Sequence, residues 1–354
     1  MAAFLASKGF NVNLADLPEF GGNIKPFQTL GGIEISGELS GLFKPNLITT
    51  NIQEAIKGVD MILIISRAQG HIPLIESCLP YLQNGQALVV YTPFWTSLRV
   101  VNELRERGLR DVILGEVSIL PWSCNRTGPT NVYLRTTKRE LLVAAIPTKY
   151  TGRLIDMLNK MPAPPKYVPA VNVLETSLAN IMPELVVPIP LLNIGFTEFT
   201  KVSLYYEYGL SPPVGRVVDA LDNERLAIGK ALGLDLAPFP EIVMKWYSQY
   251  GAKGKSSFEV FNTLWTHKWE VPATTLQQEI EKGELAESVP NYLVPLASLG
   301  DLLGVPTPAT DTIIHLAEMI TGVNYRREGF TVGEMGLAAL SAEQIIRYAN
   351  TGEK

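Results

Sequence analysis

Three runs of consecutive apolar residues in the first third of the chain predict strands that are buried on both faces. They occupy residues 58–66, 85–92 and 111–115. Continuous runs of this kind are typical of a parallel sheet, in which helices cover both sides of each strand. Residues 98–108, between the second and third runs, have helical spacing. Strands that alternate with helices of this length indicate βαβ units and a parallel sheet.

The chain opens with an apolar stretch, residues 2–6, that predicts a helix ending near Gly9. Residues 9–16 then predict a short strand closed by Asp16. An acidic residue at the end of the second strand of a dinucleotide-binding sheet accepts hydrogen bonds from the adenosine ribose, and its charge disfavours a 2′-phosphate. Asp16 therefore favours NAD over NADP, unless it is an ordinary turn aspartate. The first strand and glycine-rich phosphate loop of such a sheet precede its first helix, so we expect them upstream of Met1.

Beyond residue 115 the pattern changes. Short strands at 131–134 and 140–146 flank a turn at 136–138 and predict an antiparallel pair at the sheet edge. The proline-rich segment 161–169 cannot be the interior of a helix and marks a domain boundary. Helical spacing dominates afterwards, in segments 171–180, 224–232 (from a start at Asp222 to an end at Gly233), 241–250, 296–303, 310–321 and 341–349. We predict a nucleotide-binding α/β domain at 1–163 and an all-helical domain at 164–354.

Composition narrows the classes of function. The 354 residues are 46% hydrophobic and 18% charged, with a net charge of −5, which is ordinary for a globular enzyme and gives no basic surface for nucleic acid. No apolar run approaches the roughly 20 residues of a membrane helix. Cys78 and Cys124 lie in different segments without metal-ligand spacing. We expect a cytoplasmic protein with a small-molecule substrate, no bound metal and no membrane anchor.

Several motifs in chain order carry a family resemblance. The longest are residues 205–215, which read YYEYGLSPPVG, and residues 222–233, which read DNERLAIGKALG. Shorter ones are NVLETS at 172–177, LVPL at 293–296, GVPTP at 304–308 and RREG at 326–329, with GGIE at 31–34, ILII at 62–65 and GE at 115–116 in the first half. The chain resembles the octopine/nopaline (opine) dehydrogenase family over essentially its whole length. It is most similar to the bacterial N-(1-carboxyethyl)-norvaline dehydrogenase type.

The resemblance implies a Rossmann domain, a following all-α domain like that of 6-phosphogluconate dehydrogenase, a substrate cleft between them and a homodimer. It also implies that an amino acid condenses with a 2-oxo acid and that NADH or NADPH reduces the imine. By this likeness Asp16 binds the ribose, and further cofactor contacts are expected from Ser66, Arg67, Ala68, Thr92, Pro93 and Glu116. Asn180 and Asn193 are expected as polar residues of the cleft. Candidate anchors for substrate carboxylates are Arg126, Lys201 and Arg216.

This chain lacks the acid/base pair that the resemblance implies, a histidine oriented by an aspartate. Registering the motifs without gaps places Val186 at the histidine position and Ser288 at the aspartate position. Loss of both members predicts an altered mechanism. His71 is one substitute, with a helix-cap role as the alternative. Glu175 or Glu184, on or near the helix that carries Val186, is another if burial raises its pKa, although a solvated helix glutamate is the simpler interpretation. His315 lies on an apolar helical face and is expected in the core.

Three functions therefore remain open. The first is an NAD(H)-dependent oxidoreductase of opine type with an altered acid/base pair. The second is a relative that binds the cofactor without this catalysis. The third is a dehydrogenase of simple 2-hydroxy or 2-oxo acids, which would need no amine.

Overall fold

A computed structural model describes residues 1–161, 165–200, 209–264 and 275–354. Its strands are β1 (Asn13–Ala15), β2 (Ile33–Gly37), β3 (Gly41–Phe43), β4 (Leu47–Thr49), β5 (Met61–Ile64), β6 (Ala87–Tyr91), β7 (Ile113–Val117), β8 (Trp122–Arg126), β9 (Asn131–Thr137), β10 (Glu140–Ile146) and β11 (Lys166–Pro169). The helices of the first half are α1 (Ala2–Ser7), α2 (Gly21–Leu30), α3 (Ile52–Ile56), α4 (Ala68–Cys78), α5 (Thr96–Glu106) and α6 (Thr151–Leu158).

The second half of the chain is helical wherever it is described beyond β11. Its helices are α7 (Val173–Leu178), α8 (Met182–Val186), α9 (Pro188–Thr200), α10 (Pro212–Ala231), α11 (Phe239–Tyr247), α12 (Ser257–Asn262), α13 (Leu276–Lys282), α14 (Glu284–Ser288), α15 (Val294–Leu303), α16 (Pro308–Thr321), α17 (Tyr325–Glu328) and α18 (Ala342–Thr351). A π-helical turn, Val289–Leu293, joins α14 to α15. The predicted boundary between residues 163 and 164 lies outside the described residues.

The three apolar runs form the parallel part of a five-stranded sheet with the order β11-β10-β7-β6-β5. β5 pairs in parallel with β6, and β6 with β7. β10 then runs antiparallel to β7 and parallel to β11. Every residue of β6 and β7 is buried. Both strands lie in the interior of the sheet, and the helices α5, α6 and α7 pack against β7. The prediction of a buried parallel sheet is confirmed.

β1 and β4 form a separate parallel pair. In the doubly wound strand order 3-2-1-4-5-6, strands 3-2 and strands 4-5-6 flank strand 1. The pair β4-β1 corresponds to strands 3-2, and β5, β6 and β7 correspond to strands 4-5-6. Within the described ranges no strand is hydrogen-bonded to both sets. Asp16 follows β1 directly, as the sequence predicts.

The predicted antiparallel pair after residue 130 is wrong, because its two strands belong to different sheets. β9 joins a four-stranded sheet of order β3-β2-β9-β8, whereas β10 joins the five-stranded sheet. The chain changes sheet at Lys138, which is only 4% exposed. Its ammonium donates to the Leu120 carbonyl (3.0 Å) and lies over the rings of Trp246 and Tyr247. The turn is buried beneath the second domain, where each strand finds a different partner.

The helix predicted to start at Asp222 starts ten residues earlier. α10 has Ser211 as its N-cap and prolines in its first turn, where a missing N–H costs nothing. Asp222 lies in the interior of α10 because its carboxylate is bound there by the Arg225 guanidinium, at 2.6 Å. Gly233, with φ of 73°, follows the end of the helix as predicted.

One described segment, Val173–Phe199, is long and apolar enough to cross a membrane by length and composition alone. No such segment is expected from the sequence. In the structure 72% of its most apolar 18-residue window is buried inside the molecule. A helical segment with this burial belongs to the core of a folded domain.

Candidate active site

Three segments meet where β5, β6 and β7 reach the carboxyl edge of the sheet. They are the loop 66–68 before α4, the turn 92–95 before α5, and Glu116 in β7. The carboxyl ends of parallel strands share one edge, and open α/β sheets bind nucleotides and substrates there. The helix α7 of the second domain packs against β7 and β10. The predicted cofactor residues of these segments are therefore brought to one junction between the domains.

The turn after β6 has an unusual backbone. Thr92, Phe94 and Trp95 have φ values of 58°, 45° and 62°, in the left-handed region that side chains other than glycine rarely adopt. Such residues cost about 1–3 kcal/mol each and cluster at active sites, held in place by their surroundings. Trp95 is fully buried, and its backbone N–H donates to the Ser177 hydroxyl of α7 at 3.1 Å. The second domain thus holds the strained turn.

Glu116 joins both domains at this turn. One carboxylate oxygen accepts the backbone N–H of Ser97 at 2.9 Å, in the first turn of α5. The other accepts the hydroxyls of Thr176 (2.8 Å) and Ser177 (3.3 Å) on α7. Glu116 is completely buried, and this burial raises its pKa to about 7. The carboxylate is used by the protein itself, with both oxygens hydrogen-bonded.

His71 lies behind the edge rather than in an open cleft. It is 1% exposed, with Nδ1 2.9 Å from the Thr96 hydroxyl and Nε2 3.3 Å from the Ser66 carbonyl. Burial lowers its pKa to about 4, so the ring is neutral at physiological pH. His71 connects the loop after β5 to the start of α5, and it is one turn inside α4 rather than at its cap.

The loop after β5 is also bound by the second domain. The Arg67 guanidinium donates to the Glu287 carboxylate at 2.8 Å and to the Gly283 carbonyl at 3.2 Å. The other oxygen of Glu287 accepts the Ala68 backbone N–H at 2.8 Å. The side chain of Gln69 donates to the Ala286 carbonyl at 2.6 Å. The predicted cofactor residues Arg67 and Ala68 thus contact the segment 283–287 of the second domain.

Asp16 lies at the far side of the first domain, after β1. It accepts the Leu17 backbone N–H at 2.9 Å and the side-chain amide of Asn23 at 3.2 Å. Arg126 is close by, since it donates to the Asn23 carbonyl at 3.3 Å and packs over the Phe27 ring. The sequence predicts Arg126 as an anchor for a substrate carboxylate, but Arg126 contacts Asn23 and Phe27 of α2, at the Asp16 end of the domain. A half-buried carboxylate, which only accepts, fits the hydroxyls of a ribose.

The elements that carry Val186 and Ser288 do pack together. α8 ends at Val186, and it contacts α14, which ends at Ser288, and the π-helical turn that follows. Val186 is 4% exposed and Ser288 is 1% exposed. The elements that carry the two positions expected for the family's histidine and aspartate therefore pack together, and both side chains are buried.

A charged cluster occupies the same region. Glu184, two residues before Val186, lies 3.5 Å from the Arg225 guanidinium and accepts the Tyr292 hydroxyl at 3.2 Å. Burial, opposed by the charge of Arg225, raises the pKa of Glu184 well above its usual value. Arg225 is fully buried and bound to Asp222. The Tyr292 ring lies 6.0 Å from that of Trp95, so the cluster reaches the strained turn.

Several polar groups near the junction are buried without a partner among the described residues. They are both side-chain polar atoms of Asn180 and the indole nitrogen of Trp95. Asn180 is fully buried, and its backbone N–H donates to the carbonyl of Ser177, the residue whose hydroxyl bonds to Glu116. Buried polar groups are almost always hydrogen-bonded, so unpaired ones mark sites that bind water or ligand.

Comparison with known proteins decides which family this site belongs to. The family model described as NAD/NADP octopine/nopaline dehydrogenase, alpha-helical domain, matches residues 169–321. The opine dehydrogenase of Arthrobacter sp. (strain 1C) is 32% identical over 349 residues, which cover 97% of this chain and 93% of that protein. This chain belongs to the opine dehydrogenase family. It is therefore an NAD(P)-dependent oxidoreductase of the class that acts on CH–NH bonds.

Solved structures of the family share the whole fold. Octopine dehydrogenase with NADH and L-arginine has a TM-score of 0.73, and with NADH and pyruvate of 0.72, each at 18% identity and covering 100% of this chain and 95% of that one. Yersinopine dehydrogenase with NADP⁺ has a TM-score of 0.63 at 13% identity, covering 99% and 94%. The predicted fold, a nucleotide-binding α/β domain followed by a helical domain, is confirmed.

Other predicted residues lie away from the junction or serve the fold. Glu175 is half-buried, accepts the Val171 backbone N–H and lines a cavity of about 90 Å³ with Lys245. Burial raises the pKa of Glu175. The Asn193 amide donates to the carbonyls of Ile189 (2.8 Å) and Gly209 (3.1 Å). Arg216 is exposed on α10, and Lys201 lies outside the described residues.

The prediction for His315 is wrong, since 69% of its side chain is exposed beside Glu318. Its neighbours Ile313 and Ile314 are buried, and the helix turns His315 outward. In the part of the chain that the structure describes, no group of three His, Cys, Asp or Glu side chains could hold a metal ion.

The sequence offers Glu184 as a candidate base near Val186, but it gives no role to Tyr292, Arg225 or Glu287. A signal existed only for Arg225, because Asp222 and Arg225 have the i, i+3 spacing of a helical ion pair. Tyr292 meets Glu184, and Glu287 meets Arg67, more than 100 residues away along the chain, so no local pattern reports these contacts.

Proposed function

We propose that this protein is an NADH-dependent opine dehydrogenase that joins the amino group of an amino acid to the carbonyl carbon of a 2-oxo acid. The amine and the carbonyl lose water to form an imine. One NADH and one proton then reduce the imine to a secondary-amine dicarboxylate. The observation that carries this proposal is the polar junction between the carboxyl edge of the sheet and α7, in a chain related to opine dehydrogenases along its length.

The proposed cofactor site runs from Asp16 to the turn 92–95 along the carboxyl edge. Asp16 would accept the ribose hydroxyls, and its charge would disfavour a 2′-phosphate, which supports NADH as the cofactor. When bound, the nicotinamide supplies the hydride. Ser66, Thr92 and Pro93 would lie along it, since the segments carrying them end at this edge.

The substrate site would lie between this edge and the second domain. Asn180 offers one acceptor and two donors that are buried and unpaired, and Trp95 offers an indole N–H. These groups suit the carboxylate or carbonyl oxygens of an oxo acid. Asn193 would support the site through Gly209 rather than contact substrate, because its amide is already bonded.

Proton transfer in this proposal does not use the positions of Val186 and Ser288. Valine carries no titratable proton, and a serine hydroxyl that has no neighbouring base is a weak acid and a weak base. Glu116 has a pKa of about 7, but it is completely buried and both of its oxygens are hydrogen-bonded to residues of α5 and α7, so in this proposal it holds the junction together rather than exchanging a proton with substrate. His71, with its pKa of about 4, is a structural residue in this account.

We further propose that the chain divides at residues 163 and 164, acts as a cytoplasmic homodimer and takes substrates of the carboxyethyl-norvaline dehydrogenase type. The Arthrobacter relative, an opine dehydrogenase, supports substrates of opine type. Val186 and Ser288 favour one alternative, a relative that binds the cofactor without turnover.

The test is NADH oxidation with a panel of amino acids and 2-oxo acids, each alone and in pairs. The proposal predicts oxidation only when both substrates are present. Oxidation with an oxo acid alone would instead identify a 2-oxo acid reductase. Thermal stabilisation by NADH with no oxidation for any pair would identify a cofactor-binding relative.

A further inference from the structure

We propose that Glu287 is a positioning residue, which holds the loop after β5 at the reactive edge from the opposite domain. This inference rests on the proposed function for its catalytic consequence. The contact itself is a property of the structure, in which residues separated by 219 and 220 positions along the chain meet.

Glu287 makes two different contacts with one carboxylate. Its Oε2 accepts the Arg67 guanidinium and its Oε1 accepts the Ala68 backbone N–H, both at 2.8 Å. The side chain of Glu287 is only 13% exposed, whereas that of Arg67 is 48% exposed. An ion pair between two exposed side chains contributes little to stability. The contact with a backbone amide is different, since it fixes the main chain of the loop.

The start of α4 depends on this contact. Arg67 is the N-cap residue of α4, and its side chain makes no capping hydrogen bond. The first N–H groups of a helix have no partner within the helix and need an acceptor, for which a carboxylate is well suited. Glu287 supplies that acceptor from the second domain. The first turn of α4 is therefore completed only when the two domains are together.

The position of α4 is passed on to the strained turn. His71, one turn further along α4, lies within hydrogen-bond distance of the Ser66 carbonyl and the Thr96 hydroxyl. The Thr96 hydroxyl in turn donates to the Pro93 carbonyl. A shift of α4 at Ala68 thus moves the groups that hold residues 92–95. Glu287 acts through these residues on the edge where the hydride would be transferred.

Three carboxylates, those of Glu279, Glu284 and Glu287, lie close to Arg67 or to one another. Glu284 lies 4.0 Å from Arg67, and Glu279 accepts the Glu284 backbone N–H at 2.9 Å. Burial and the charge of Glu287 raise the pKa of Glu284 to about 7. Glu287 is distinguished from the other two by its bond to the Ala68 amide.

Two substitutions separate the two contacts. Glu287→Gln keeps an oxygen for the Ala68 amide but removes the charge that attracts Arg67, and Glu287→Ala removes both. Glu281→Gln is the matched control, because Glu281 is exposed on α13 and is bonded by its helical neighbour Gln277. All three variants are made in the full chain.

We expect kcat to fall by about tenfold or more in Glu287→Ala, because small misplacements of reacting groups cost one to two orders of magnitude. Glu287→Gln is expected to lie between this variant and wild type, and Glu281→Gln to match wild type. KM for NADH should change much less than kcat in all of them. A role in stability alone would lower the unfolding temperature and leave kcat of the folded fraction unchanged, which would overturn the proposal.

Hydrogen–deuterium exchange provides a readout that does not need turnover. The amides of residues 66–71 should exchange faster in Glu287→Ala than in wild type, and not in Glu281→Gln. Unchanged exchange there would overturn the proposal whatever the kinetics show. If no substrate pair supports NADH oxidation by the wild type, the proposed function fails. Exchange at residues 66–71 still decides whether Glu287 holds the loop.

Discussion

Asp16 and Arg225 show how burial separates two kinds of charged residue in this protein. Arg225 is completely buried and bound to Asp222, with Glu184 3.5 Å away, so its charge is compensated inside the second domain. Removing one member of such a group leaves a buried charge unpaired and destabilises a protein strongly. Asp16 is half-buried and held by two donors at the end of β1, where its oxygens remain close to solvent. Only the second arrangement suits recognition of a ligand.

Replacing Asp16 tests the proposed cofactor. Asp16→Ala removes the acceptor for the ribose and the charge that repels a 2′-phosphate. We expect kcat/KM with NADH to fall by about tenfold, the low end for a hydrogen bond to a charged group, and the ratio of NADH to NADPH activity to fall with it. Glu19→Gln, an exposed neighbour, is the control. An unchanged ratio in Asp16→Ala would show that Asp16 does not read the ribose.

At the scale of elements, β7 and α7 are joined by Glu116. The carboxylate is fully buried, and burial raises its pKa from 4.5 to about 7. The folded state therefore binds this proton more tightly than the unfolded state. The contribution of Glu116 to the free energy of unfolding accordingly falls as pH rises from about 4.5 to about 7. Its hydrogen bonds to Ser97, Thr176 and Ser177 offset only part of that cost.

Glu116→Gln tests this assignment through stability. Glutamine fills the same space and keeps an acceptor for the Ser97 amide, but it does not ionise. We expect chemical denaturation to show a smaller loss of stability between pH 4.5 and pH 7 for this variant than for wild type. Glu106→Gln, on the exposed side of α5, should follow wild type. Equal pH dependence in wild type and Glu116→Gln would contradict the raised pKa of Glu116.

The elements that carry local signals are the ones that sequence predicts. The apolar runs that become β5, β6 and β7 report burial on both faces, and Gly233 reports the end of a helix. The four-stranded sheet carries no such continuous apolar run, because β2, β8 and β9 are only partly buried. Whether β9 pairs with β8 or β10 is decided by the burial of Lys138 under the second domain. That contact is formed only in three dimensions.

Some residues of the candidate site can likewise be predicted from the sequence, and others are found only in the structure. Asp16 and the residues at strand ends follow from position along the chain, since parallel strands share one edge. The strained backbone at Thr92, Phe94 and Trp95 has no signature in side-chain type. The bond between Glu287 and Ala68 joins residues at opposite ends of the chain. Sequence thus indicates where the predicted cofactor residues lie, and the structure shows which residues of the second domain contact them.

At the scale of the whole molecule, the two domains meet through carboxylates that act as acceptors. Glu116 reaches from the first domain to α7, and Glu287 reaches from the second domain to α4. Together they bind the segments that follow β5 and β6, on either side of the strained turn. The two positions where the resemblance implies a histidine and an aspartate are instead an apolar residue and a hydroxyl, both buried in the second domain. The account therefore places the chemistry at a junction built differently from the pattern that the resemblance implies.

The most direct test of that account is to follow the hydride. The protein is incubated with NADH deuterated at the transferring C4 position, together with an amino acid and a 2-oxo acid, and the products are analysed by mass spectrometry. The account predicts a secondary-amine dicarboxylate with one deuterium on the former carbonyl carbon. Deuterium in a 2-hydroxy acid, or none transferred to any product, would contradict it.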